Sequence, residues 1–182
     1  MKTTRDQIID IAEKLILSKG YNGFSYADIS SLLDIKNAAV HYHFPSKADL
    51  GVAVIDKINK DFIKHMHTYH DKSPTIKLRS FIEVYELNSS KKIVCFMGAL
   101  GPFSTTLPVA MQKALTEAGD YLLDWLTHVL REGCEQNEFS FEETPEAKAQ
   151  LLISSLLSGL ILQKTLKRNI FDSIKDAVIA SV

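Results

Sequence analysis

The chain has 182 residues, 46% hydrophobic and 24% charged, which is enough to bury a real core in one domain or in a small module joined to a larger one. Lys and Arg total 21 against 22 Asp and Glu, a formal net charge of −1. That balance excludes a wholly basic nucleic-acid coat, an acidic tail and a disordered polyelectrolyte, but not a local DNA-binding face.

No apolar run approaches the roughly 18 residues of a membrane span, so no membrane partner is expected. The first six residues, Met1 to Asp6, lead into an amphipathic pattern containing acids, unlike a signal-peptide core. Cys95 and Cys134 are far apart and lack metal-ligand spacing. Together these features predict a soluble protein of a reducing cytoplasm.

Helical periodicity runs through the whole chain, and no stretch of strict alternation requires a sheet. Residues 4–19 place Ile8, Ile11, Ala12, Leu15 and Ile16 on one face, with Thr4 and Gln7 at capping-box spacing and Gly20 as the stop. After the Asn22-Gly23 turn, Ser25 caps a short helix while Asp28 reaches back to it. Ile29, Leu32 and Leu33 form its expected buried side. A break at residues 33–36 precedes a third short helix over 37–44, which Pro45 terminates. Ser46 and Asp49 repeat the capping pattern and open a long helix over 47–70.

Ser73-Pro74 starts the next helix, to about residue 88, and a polar loop covers 88–92. Residues 95–105 read as a short helix disturbed by Gly101-Pro102. Pro108 opens a long helix to about 137, striped by Met111, Leu115, Ala118, Leu122, Trp125 and Val129. Thr144-Pro145 starts another over 144–167, and a last one covers 171–180. The expectation is an all-α chain of about nine helices: a three-helix helix-turn-helix head over 1–50 and a helical domain over 51–182.

The third helix carries the chemistry. With Val40 inward, Phe44 and Lys36 flank the buried side, Ala38 and Tyr42 face out, and Ala39 and His41 lie on the shoulders. A helix that enters the major groove needs small residues for close approach, and Ala can meet a thymine methyl. Tyr42 and His41 can hydrogen-bond phosphates or base edges, Asn37 can pair with adenine, and His43 is assigned equally to DNA or to packing. Ser25 and Tyr26 begin one helix and Ser46 and Lys47 another, so amides and dipole ends favour phosphate at both. Lys2, Arg5, Lys36 and Lys47 add charge, although six bases face six acids within residues 1–50.

Phe24-Ser25-Tyr26-Ala27-Asp28-Ile29 followed by the run from Lys36 to Leu50, with His41-Tyr42-His43-Phe44, Ser46-Lys47 and Asp49-Leu50 in register, resembles the TetR family of one-component transcriptional regulators. The likeness covers about residues 5–55. It implies a homodimer whose two heads bind a palindromic double-stranded operator, with a small-molecule inducer. By position, Tyr26 and Lys47 would contact phosphate, and Asn37, Ala38, Ala39, His41 and Tyr42 would face the groove. The sequence departs from the family at 38, where Gly or Pro is usual, and at 41, where Tyr is commoner.

In the second half, Phe62, Met66 and Tyr69 can face Phe81 and Tyr85. Phe103, Met111, Leu115, Leu122 and Trp125 complete a candidate cavity, and Gln163 is a polar handle. Many of these are ordinary core positions, and the resemblance adds the expectation of a ligand pocket among them. Leu152, Ser155, Leu156, Gly159 and Leu160 are assigned to a two-fold helical interface, with Gly159 and Ser155 permitting close approach. Cys95 follows Lys91-Lys92 at a helix start, where a thiol pKa would fall, and some electrophile-sensing TetR members carry a cysteine in a similar place. The preferred reading is a small buried hydrophobe.

His65, His67 and His70 do not share one face, and no Cys or carboxylate pattern completes a metal site. There is no phosphate loop, dinucleotide fingerprint or nucleophile elbow, so no catalytic residue and no cofactor is expected. The competing function is a helical small-molecule carrier without DNA binding, or a protein–protein adaptor.

Overall fold

A computed structural model describes residues 2–182. Its α-helices, in chain order, are α1 (Thr4–Lys19), α2 (Tyr26–Leu33), α3 (Asn37–His43), α4 (Lys47–His67), α5 (Pro74–Ser90), α6 (Phe96–Leu100), α7 (Val109–Glu135), α8 (Pro145–Leu166) and α9 (Phe171–Ile179), and no strand occurs among the described residues. The all-α expectation is met. Two compact units divide the chain: one holds everything up to Asp61 with Phe96–Ala118, the other Phe62–Cys95 with Gly119–Val182.

In the first unit, Ile8, Ala12 and Ile16 of α1, Ile29 of α2, Val40 of α3 and Leu50 and Val54 of α4 are all buried. Helix starts are fixed by three reciprocal capping boxes. The Asp28 carboxylate accepts from the Ser25 amide and hydroxyl, both at 2.7 Å, and Asp49 accepts likewise from Ser46 at 3.0 and 2.7 Å. At α1 the box is one residue earlier than expected: Thr3 is the cap and Asp6 its partner, in place of Thr4 and Gln7. A carboxylate one turn into the helix also meets the positive dipole end, which Gln7 cannot. Gly20, at φ +79°, ends α1.

Leu32 departs from expectation, being 61% exposed, whereas Tyr26, Ile29 and Ser30 form the buried side of α2. Asp34 takes the left-handed conformation at the C-cap of α2 and turns the chain directly into α3. Gly101-Pro102 does disturb its segment: α6 stops at Leu100 and a 3₁₀ turn runs from Gly101 to Thr106. That turn leaves Phe103 51% exposed, so its assignment to a cavity wall is wrong. Met111 is fully buried in this unit over Gly51 of α4.

The second unit packs Leu78, Phe81, Ile82 and Tyr85 of α5 with Leu122, Leu126, Val129 and Leu130 of α7, Leu152, Leu156 and Leu160 of α8, and Phe171 and Val178 of α9. Ion pairs span its helices: Lys77–Glu132 at 2.8 Å joins α5 to α7, Lys175–Glu86 at 2.6 Å joins α9 to α5, and Arg131 meets Glu146 between α7 and α8.

The residues assigned to a two-fold interface are corrected here. Leu152, Leu156, Gly159 and Leu160 lie inside the unit's own core, and Ser155 is half-buried. Gly159 admits α9 of the same chain, since a Cβ there would sit 3.2 Å from Ile174 and 3.3 Å from Phe171. The exposed apolar side of α8 is instead Leu151, Ile161, Leu162 and Leu166, with Ser154 and Ser158 between them. Because α8 is apolar on both sides, it is also the one helix among the described residues long and apolar enough to cross a membrane. Its buried side is occupied by the core just described.

Candidate nucleic-acid interface and effector cavity

Helix α3 is anchored by Val40 and, at its C-cap, Phe44, both buried. Anchoring that side turns Lys36, Asn37, Ala38, His41 and Tyr42 to solvent, with Ala39 and His43 at the half-buried margins. Tyr42 is 83% exposed and meets the edge of His43, ring centroids 5.2 Å apart. Seven helical residues held by two apolar anchors therefore present a rigid face of small, amide, imidazole and phenol groups. Arg5 stands beside this face with its guanidinium 5.0 Å from the Phe44 ring.

Tyr26 and Lys47 are engaged within the head. Tyr26 is buried, donates its hydroxyl to the Phe44 carbonyl at 2.9 Å and meets the edge of His41 at 4.7 Å. Burial, then the nearby charge of Asp49, pushes its phenol up to about 12. Its side chain thus fixes the end of α3 and the ring of His41, in place of the phosphate contact expected of it. Lys47 donates its ammonium to the Phe24 carbonyl and lies over the Tyr21 and Phe24 rings at 4.8 and 4.2 Å. Burial lowers its pKa. Its charge is thereby held between the starts of α2 and α4, where Ser25 and Ser46 are exposed.

The charge balance of the head changes once its acids are placed. Asp6, Asp28 and Asp49 cap helices, Asp10 holds Lys2 at 2.5 Å, and Glu13 holds Lys57 at 2.8 Å. Only Asp34 of the six acids in residues 1–50 lies outside these caps and pairs. The Ser25 hydroxyl and amide hold the Asp28 carboxyl below the usual carboxylate range, as Thr3 does for Asp6. The face of α3 itself carries no acid.

In the second unit, part of the expected aromatic cluster forms. Phe62 meets Phe81, Trp125 and Tyr121 edge-on at 6.2, 6.0 and 6.2 Å, and Phe81 stacks on Trp125 at 5.9 Å. Met66, Tyr121 and Trp125 then wall a cavity of about 270 Å³ with His67, His70 and His128 at its edge. Tyr69 packs on His65 rather than into it, Leu122 is buried nearby in the same unit, and Gln163 lines a different hollow. Phe103, Met111 and Leu115 belong to the other unit. No group of His, Cys, Asp and Glu that could hold a metal ion occurs among the described residues.

Sequence reasoning did not single out Tyr121, His128 or the special position of Tyr85. Tyr85 is buried, 5.3 Å from Phe81, and its hydroxyl is the one buried side-chain polar atom among the described residues without a hydrogen-bond partner. Burial, and secondly the proximity of Cys95, raises its pKa well above the ordinary phenol value. Cys95 is buried immediately before α6 and forms no disulfide.

A short helix displayed on a three-helix head, followed by a helical body, defines the class of helix-turn-helix proteins. Residues 8–54 match the family described as bacterial regulatory proteins, tetR family. A Legionella pneumophila TetR transcriptional regulator of known structure is 29% identical, with a TM-score of 0.89, over 100% of this chain and 98% of that one. An uncharacterised HTH-type transcriptional regulator in the lacX 3′ region of Lactococcus lactis is 32% identical over 97 residues, 51% of this chain and 50% of that protein. The Staphylococcus epidermidis negative regulator of the biofilm operon icaADBC, IcaR, is 33% identical over 72 residues, 40% of this chain and 39% of its own. The aligned stretch thus spans half or less of the length of these curated relatives. The chain belongs to the TetR family of regulatory proteins.

Proposed function

We propose that this protein is a ligand-responsive transcriptional repressor of the bacterial cytoplasm that binds a palindromic operator as a homodimer. The observation that carries the reading is the α3 face: Val40 and Phe44 are fully committed to the core, while Asn37, Ala38 and the 83%-exposed Tyr42 stand in solvent and His41, steadied by the edge of Tyr26, is exposed beside them. Groove contact by these side chains, with Arg5, Lys36 and the α2 and α4 starts at phosphates, uses each of them. IcaR, similar to this chain over 72 residues, is a negative regulator, which favours repression.

Dimerisation is assigned to the exposed apolar side of α8, Leu151, Ile161, Leu162 and Leu166, together with the half-exposed margin at Ser155. Two α3 helices about 34–36 Å apart then enter successive major grooves. Residues 1–50 act as the DNA-binding domain and 51–182 as the ligand-binding and dimerisation domain.

The effector is assigned to the aromatic cluster of Phe62, Phe81, Tyr85 and Trp125, with Met66 at the cavity wall. Helix α4 is continuous from Lys47, its first residue, to His67. A ligand displacing Phe62 or Met66 therefore moves a helix whose first turn belongs to the head. Because the DNA-bound state requires one spacing of the two α3 helices, a ligand that prefers any other position of α4 releases the operator.

The test is an anisotropy titration of the full chain against duplex DNA from upstream of its own gene. Binding that weakens with salt is expected, and Tyr42→Ala combined with Asn37→Ala abolishes it without unfolding the protein. Absence of binding by the folded dimer, or an unaffected double variant, overturns the reading.

A further inference from the structure

A second, larger hollow of about 890 Å³ lies within the second unit, where the C-terminal ends of α5 and α8 meet the start of α9. Its floor is apolar, formed by Leu160 and Phe171, both buried, and the half-buried Ile93. Gln163 braces it. The amide donates to the Ser89 hydroxyl at 2.8 Å and carbonyl at 3.2 Å, and its oxygen accepts from the Phe171 amide at 3.4 Å. One side chain thereby ties three helix ends together, so the hollow is already formed before any ligand arrives.

Lys92, Lys164, Lys167 and Arg168 line the hollow alongside two acids, Glu86 and Asp172. Both acids are already met by Lys175, at 2.6 and 4.0 Å, and Asp172 also accepts from Asn169 at 2.5 Å. Lysines and arginines commonly gather at helix C-termini to balance the dipole, and that role must be set against the count here. Each helix end carries about half a charge, so two C-terminal ends and the opposing N-terminal end of α9 leave only about −0.5 for the cations to balance. Lys92, Lys167 and Arg168 exceed that requirement, because Lys175 already offsets one of the two acids. The hollow therefore combines an apolar floor with an excess of about 1.5 positive charges at its rim. This exceeds what folding needs, and its volume exceeds what an inorganic ion fills.

We propose that this hollow binds an organic anion: a carboxylate-headed molecule with an apolar body, the head held by Lys167, Arg168 and Lys92 and the body laid on Leu160 and Phe171. The site is separate from the aromatic cluster and its occupancy requires no DNA, so the proposal stands or falls independently of the regulatory reading.

The test is calorimetric titration of the full chain with octanoate, octan-1-ol and octylammonium, which share a body and differ in head charge. Octanoate is expected to bind about ten-fold or more tighter than the alcohol, with octylammonium weakest and octanoate affinity falling as salt rises. The exposed double variant Lys167→Ala/Arg168→Ala is expected to lose about ten-fold for octanoate and little for octanol. The charge-matched control Lys64→Ala/Lys113→Ala loses none. The sole tryptophan, Trp125, lines the aromatic cavity and not this hollow, so its emission should not respond to octanoate. Equal binding of octanol and octanoate overturns the proposal, as does octanoate affinity unaltered by the double variant, or an octanoate-induced shift of Trp125 emission.

Discussion

Replacing Tyr85 by Phe removes one oxygen atom from the core of the second unit and nothing else. That oxygen is buried, lacks a hydrogen-bond partner, and sits where burial strongly disfavours the phenolate. A buried hydroxyl left unsatisfied costs about 1–3 kcal/mol relative to its hydrated state. The aromatic ring and its contact with Phe81 are unchanged in the variant, so no offsetting loss of packing is expected. Tyr85→Phe should therefore be more stable by about 1 kcal/mol, the lower end of that range, because the released core relaxes around either side chain. For a chain of this size that is a rise of about 2–4 °C in Tm, measured by calorimetry at one fixed protein concentration. Urea denaturation should show a higher midpoint at unchanged m. Operator affinity without effector should not move. A loss of stability would mean that the hydroxyl is satisfied in the folded protein, and would refute the reasoning.

Tyr42→Ala should leave stability within about 0.5 kcal/mol, because its side chain is 83% exposed on α3, while operator affinity falls about ten-fold or more. A Tyr42→Ala protein with native operator affinity would remove α3 from the groove. Ser25→Ala should lower stability by about 1 kcal/mol in chemical denaturation, through loss of the reciprocal cap at α2. The same cap has a pH signature. The Asp28 and Asp6 carboxyls are held below their ordinary values, so their stabilisation is complete above the usual carboxylate pKa near 3.8 and is lost as pH falls through their lower folded values. Ser25→Ala should accordingly flatten the acid limb of the stability profile below about pH 4, and an unchanged limb would refute the linkage. Finally, Ile161→Asp/Leu162→Asp should convert the proposed dimer to a folded monomer in sedimentation, with helical content intact and operator affinity lost. Persistence of the dimer would place the interface elsewhere.

The DNA head was readable from sequence because its determinants are local. Cap residues, Pro45 and the spacing of Val40 and Phe44 act within one or two turns, and they set both the element bounds and the outward face of α3. Where local rules compete, the reading slipped by a residue: Thr3-Asp6 and Thr4-Gln7 both satisfy the capping pattern, and only the geometry of the chain selects the first. Leu32 failed for another reason. An eight-residue helix offers too few turns for periodicity to separate the buried side from its margin.

Determined by the sequence alone were the all-helical class, the order of elements and the exposed face of α3, since each follows from interactions between neighbours in the chain. Tertiary structure decided what depends on distant partners. Lys47 and Tyr26 begin helices and so look free for phosphate, yet Phe24 and Phe44, 23 and 18 residues away, take up their polar atoms. Helix α8 is apolar all round, so no period could tell which side meets α9 and which is left for another surface. The unpartnered Tyr85 hydroxyl and the excess of cations around Gln163 arise only when α5, α8 and α9 converge, because both are sums over groups that the chain separates by up to about ninety residues.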